Sequence, residues 1–161
     1  MNIVDKLSSY NLFNYLLPGV LFVVLAAVIT NYNLIQNNIL LGAFLYYFIG
    51  LIVSRFGSLA LEPILKWIGF VRFAGYNDFV TALKKDEQIT LLSEVNNTYR
   101  TLASLVMLLG MLRLYQNLDE KFKLNHEWSM LILGAVLLAL FLFSYRKQTT
   151  YIRQRVSRAL K

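Results

Sequence analysis

Cysteine is absent from the 161 residues. That excludes a disulfide scaffold, a thiolate zinc site and an iron–sulfur cluster. Histidine occurs once, as His126, which excludes any site needing two imidazoles. Charged side chains make up 16% of the chain, against about 25% in an ordinary soluble domain. No GxSxG, HExxH, P-loop or paired-carboxylate motif occurs. The neighbouring acids, Asp86-Glu87 and Asp119-Glu120, lie in polar connections. The pattern therefore points to a protein that is not an enzyme and holds no cofactor or metal.

What the chain does have is apolar length. Hydrophobic residues make up 57% of it, which excludes a disordered chain and does not suit a water-soluble domain. A bilayer core needs roughly 20 mostly apolar residues per helix. Residues 128–145 carry no charge and have Trp128 and Tyr145 at their two ends, where aromatic side chains favour the interface. Residues 12–30 form a second apolar run, interrupted by Pro18-Gly19. Its helix either starts near Pro18 or begins earlier and kinks there. Residues 38–55 form another run, whose helix is expected to continue through Leu61 and stop before Pro63. Residues 99–118 are the weakest candidate, because only TLASLVMLLGML separates Arg100 from Arg113. They cross if Arg100 snorkels to one face.

The basic residues decide in favour of that fourth span. With four crossings, Lys6, then Arg55, Lys66, Arg72, Lys84, Lys85 and Arg100, then Arg146, Lys147, Arg153, Arg155, Arg158 and Lys161 fall on one side. Arg113, Lys121 and Lys123 fall on the other. Basic residues next to spans stay cytoplasmic, so both termini are expected inside. The expected architecture is an all-α integral membrane protein with four transmembrane helices, a helical cytoplasmic loop over 56–98 and a basic cytoplasmic tail over 146–161.

Within the loop, residues 64–73 mix Trp67, Phe70 and Phe73 with Lys66 and Arg72, which suits a helix lying among lipid headgroups or one more packed helix. Asn77 or Asp78 is the expected cap of a following helix, and Asn96-Asn97 the expected break in the next. Glu62 is expected at the interface, paired with Arg55 or Lys66. Gly42, Gly50 and Ser54, with Tyr46 between, share one helix face, where small residues permit close helix packing inside the chain or with a second copy. In the tail, Ile152, Val156 and Leu160 recur four apart among Arg153, Arg155 and Arg158. That pattern suits an anionic lipid surface, an acidic protein partner or a simple topology anchor. No groove-reading motif supports direct nucleic-acid binding.

The opening Ser8-Ser9-Tyr10-Asn11-Leu12-Phe13-Asn14-Tyr15-Leu16-Leu17-Pro18-Gly19 precedes an apolar run. Together with the four spans, the long second connection and the basic tail, it resembles the membrane subunits of the Kiwa anti-phage defence system. The resemblance implies a protein that senses phage at the envelope. It further implies assembly as a homo-oligomer such as a tetramer, and action with a cytosolic DNA-binding effector subunit. It transfers no residue roles.

The expected function is a non-catalytic sensor or scaffold in the bacterial inner membrane that recruits a cytosolic effector. Arg153, Arg155, Val156 and Arg158 of the tail, with Lys84 and Lys85 of the loop, are the candidate partner-binding residues. The alternative is a pore-forming or membrane-disrupting effector, and a small transporter comes third. A pore should show a polar stripe inside the spans. Thr101, Ser104 and Arg113 are the hints of one, and by spacing they do not share a face cleanly.

Overall fold

The computed structural model describes residues 12–160. Lys6, the opening residues 8–11 and Lys161 lie outside that range. The described chain is helical, with no strand among the described residues. It divides into two compact units, Met1–Asn117 and Leu118–Lys161, the division falling within one long helix.

The first unit begins with a π-helical turn, Leu12–Leu16, that runs into α1, Leu17–Ile29. Pro18 occupies the first turn of α1. The α-helix therefore starts near Pro18, the first of the two expected arrangements, with the π-turn leading into it. Thr30 stops it by bonding its N–H and its Oγ1 to the Ala26 carbonyl, at 2.9 and 2.6 Å. The connection to α2, Ile39–Phe56, is closed by Asn38, whose Oδ1 accepts from the N–H groups of Leu40 and Leu41.

Here the structure departs from expectation. The helix does not stop before Pro63. It continues through a second π-turn, Gly57–Leu61, into α3, Glu62–Trp67, making one rod from Ile39 to Trp67. Pro63 lacks an N–H and its ring would collide with the carbonyl four residues back. The π-turn widens the backbone just before it, and the Glu62 N–H reaches five residues back to the Gly57 carbonyl. Both prolines of the sequence follow such a turn.

The rod ends at Gly69, not at Phe73 as a headgroup helix over 64–73 would require. Gly69 adopts φ +75°, its N–H bonds the Lys66 carbonyl, and the Phe70 N–H bonds the Leu65 carbonyl at 2.9 Å. This is a Schellman closure, which needs a left-handed residue. No atom would touch an added Cβ, so the demand is conformational. Gly69→Ala should therefore cost about 1 kcal/mol, read as a small drop in melting temperature. An unchanged midpoint would show that the closure is not held.

After α4, Tyr76–Ala82, capped by Gly75 and not by Asn77 or Asp78, Lys84 and Lys85 stand exposed in a turn. α5 then runs unbroken over Gln88–Phe122. The expected break at Asn96-Asn97 does not occur. The weak helix propensity of two asparagines, about 0.6 kcal/mol each, is outweighed by the packed face that follows. α5 extends beyond both ends of the expected span, 99–118. The connection between the expected spans 99–118 and 128–145 shrinks to Lys123-Leu124-Asn125, with Lys123 at φ 48°.

The core of this unit is Ala26 of α1, Val53 of α2, and Leu105 and Leu109 of α5, flanked by Phe22, Ile49, Leu108 and Leu112. α2 is approached closely by α1 at Gly19 and by the preceding π-turn at Gly50. A Cβ at Gly19 would overlap the Tyr46 carbonyl, and one at Gly50 would overlap the Tyr15 carbonyl. Outside this core, Val28, Ile39, Phe44 and Val106 are exposed, an apolar surface that suits lipid better than water.

The second unit is dominated by α6, His126–Ala159, with Asn125 accepting from the Glu127 and Trp128 N–H groups as its cap. No residue of α6 is buried. The apolar run 128–145 and the basic tail form one continuous helix. Three helical stretches are long and apolar enough to cross a membrane: Ile39–Trp67, Gln88–Phe122 and His126–Ala159. The first apolar stretch, Asn14–Ile29, is shorter.

Candidate functional site

Two features carry chemistry: a buried polar seam through the first unit and the basic half of α6. The seam starts from α5, whose buried positions Thr101, Ser104, Leu105, Leu109 and Gln116 recur at three- and four-residue intervals. Thr101 and Ser104 share a face and both are 0% exposed, while the three polar residues together do not, as their spacing indicates. Arg113 lies off that face and is exposed.

The Thr101 hydroxyl lies 2.8 Å from the Asn97 carbonyl, 3.3 Å from Asn14 Oδ1 and 3.4 Å from Ser54 Oγ. Its single proton serves the nearest acceptor, the Asn97 carbonyl. The Ser104 hydroxyl donates to the Arg100 carbonyl at 2.7 Å. The seam therefore joins the π-turn of Asn14, α2 at Ser54 and α5 at Thr101. The hydrogen bonds offset the desolvation cost of burying these polar atoms.

At one end of the seam sits an ion-paired group. Glu62 is 9% exposed at its side chain, and its Oε2 accepts from Arg100 Nη1 at 2.7 Å. Its Oε1 accepts from Lys66 Nζ at 2.8 Å, one turn along α3. The Arg100 guanidinium is thus held by the Glu62 carboxylate, which neutralises it. Glu62 is buried within the chain, and Lys66 is one of its two expected partners. Lys66 also stands 4.2 Å over the Phe73 ring. Gly57 packs against Ser104 and Arg100, a close approach that a side chain there would block. At the other end, the buried Gln116 Oε1 accepts from the Asn31 N–H at 3.0 Å and from Arg113 Nη1 at 3.2 Å, tying α5 to the connection between α1 and α2.

The small-residue face on α2 is shared among three neighbours of its own chain. Gly50 lies against the Tyr15 backbone and Ser54 near Thr101. Gly42 lies under the ring of Tyr46, whose hydroxyl accepts from the Gln36 N–H. This face packs inside the chain, so a second copy could reach Gly50 only by displacing the first helix.

The candidate partner-binding residues fall in two places. Arg153, Arg155, Val156 and Arg158 all stand on the basic half of α6, where Arg153, Arg155 and Val156 are exposed. Lys84 and Lys85 lie in the turn before α5, in the other unit. Among the described residues, no group of three His, Cys, Asp or Glu side chains could hold a metal ion. Sequence reasoning missed the Glu62–Arg100 pair and the burial of Asn14 and Gln116. The interval from Thr101 through Ser104, Leu105 and Leu109 to Gln116 would have shown the buried face of α5.

No protein-family model, curated protein or solved structure matches this chain.

Proposed function

We propose that this protein is a non-catalytic scaffold of the bacterial inner membrane that recruits a cytosolic effector. The observation that carries the reading is the continuity of α6. One helix joins an 18-residue-scale apolar segment to a basic segment with exposed Ile152 and Val156. Such a helix holds a docking surface at a fixed position beside the membrane. The resemblance to Kiwa membrane subunits supports a role in anti-phage defence, with a homo-oligomeric assembly and a DNA-binding effector as partner.

The reading includes four spans, with the helix over Asn14–Ile29 as the first and both termini cytoplasmic. At 1.5 Å per residue its 16 residues cover about 24 Å, short of a core about 30 Å thick. A modest local thinning of the bilayer accommodates that difference. The distribution of basic residues supports the orientation. Reporter fusions at Asn33 and Asn125 should report the outside, and fusions at Lys85 and Lys161 the inside. A cytoplasmic signal at Asn125 would contradict the four-span arrangement.

Recruitment is tested by affinity purification from detergent. A cytosolic protein should co-purify in defined stoichiometry, and Val156→Asp should abolish it. Changing Arg153, Arg155 and Arg158 together to Gln should mainly alter its salt dependence, because rim charges tune association more than affinity. Co-purification that survives both changes would move the docking surface to the loop carrying Lys84 and Lys85.

The pore reading draws on the polar stripe of Thr101 and Ser104. Both are fully buried and hydrogen-bonded within one chain, which supports the scaffold reading over the pore. Single-channel recording in planar bilayers should accordingly show no conductance from the purified protein.

A further inference from the structure

The unbroken helix fixes the geometry of the tail. Along α6, Tyr145, Thr149, Ile152, Val156 and Ala159 recur at alternating intervals of four and three residues, the seam of a coiled coil. Ile152 and Val156 on this seam are 55% and 52% exposed. The positions flanking it hold Arg146 and Arg153 on one side, Gln148 and Arg155 on the other. No acidic residue occurs after Glu127.

We propose that the seam of α6 pairs with an acidic amphipathic helix of a protein partner, in a short two-stranded coiled coil. The inference rests on the recruitment reading above and specifies its recognition chemistry. Three occupants compete for the face, and charge and distance separate them. A second copy in parallel would set Gln148 opposite Arg153 and Arg155 opposite Leu160, so it gives the flanking arginines no acidic partner and adds like charge along the pair. An anionic bilayer is disfavoured by the axis of the helix. Arg155 and Arg158 stand about 13 and 18 Å beyond Arg146, past the ~8 Å screening length at physiological salt. Nucleic acid would be attracted by the arginines but gains nothing from Ile152 and Val156 on the seam. An acidic helix with apolar seam residues satisfies both the charge and the apolar row.

The test uses the full-length protein in nanodiscs of neutral lipid and a synthetic 28-residue helix with Ile and Leu at its seam and Glu at its flanks. Fluorescence anisotropy should show saturable binding at physiological salt. A sister peptide with Lys at its flanks should bind at least tenfold more weakly. Val156→Asp, at an exposed position that folding does not depend on, should weaken the Glu peptide roughly tenfold or more. Arg153→Glu with Arg155→Glu should reverse the preference between the two peptides. Failure of the Glu peptide to bind overturns the proposal. So does binding that Val156→Asp leaves unchanged, since attraction by charge alone needs no seam. Tighter binding of a DNA duplex, indifferent to Val156, assigns the surface to nucleic acid. Crosslinking between copies at position 156 assigns it to self-association, and each of these outcomes overturns the acidic-helix assignment. A cytosolic protein lost on Val156→Asp without peptide binding overturns the recognition chemistry and sustains recruitment. Peptide binding with nothing recruited in cells does the reverse.

Discussion

Glu62→Gln is expected to destabilise the fold by about 3 kcal/mol. The carboxylate is nearly buried and holds the Arg100 guanidinium, itself 18% exposed at its side chain, at 2.7 Å. Removing its charge leaves a cation among helices without a counter-ion, and the desolvation cost of that cation is then uncompensated. The Lys66 arm of the pair contributes little, because Lys66 is 45% exposed and solvent screens it. Replacing both partners, Glu62→Leu with Arg100→Leu, should restore most of the loss, since an apolar pair of similar volume carries no stranded charge. Thermal unfolding in detergent reads both changes. Equal destabilisation by the single and double variants would show that the pair is not the stabilising unit.

Gly50→Leu is expected to cost about 3 kcal/mol or more, because a side chain there meets main chain and not a movable side chain. The Tyr15 carbonyl occupies the place of its Cβ, so the π-turn ahead of α1 must be displaced from α2. Gly19→Leu should behave alike, for its Cβ place is filled by the Tyr46 carbonyl. The control is Gly110→Leu, where nothing lies within 4 Å of an added Cβ. There the midpoint should hold or rise, since glycine inside a helix costs roughly 0.5–1 kcal/mol relative to alanine. A Gly50→Leu protein that melts with the original would contradict the intramolecular packing of this face.

The apolar runs were legible because lipid-length hydrophobicity is a local property of the sequence. Residues 128–145 and the helical pattern of 146–161 both follow from it, and the structure adds that they are one helix. The pairing of Glu62 with Lys66 was legible at four residues' spacing, whereas Arg100 is 38 residues away and only the packing of α5 brings it there. The π-turns before Pro18 and Pro63 were not legible either. Local rules say that proline ends a helix, but a rod packed along its length gains more from continuing than the irregular turn costs. Asn96-Asn97 misled for the same reason, a weak local preference overridden by tertiary contacts. The sharing of the Gly42, Gly50 and Ser54 face inside the chain depended on where α1 lies, which composition does not specify.

Recruitment as proposed requires α6 to cross the bilayer and project from it as one helix. The absence of native cysteine makes single-cysteine labelling along this helix unambiguous. Spin labels placed singly at each position from 126 to 160, in proteoliposomes, can be compared for collision with oxygen and with a water-soluble nickel reagent. Lipid-like behaviour is expected through 128–145. Beyond about residue 150, every face of the helix should be accessible to the aqueous reagent. A tail lying on the membrane would instead show the two reagents alternating with a helical period through 150–160, and that result would contradict the account.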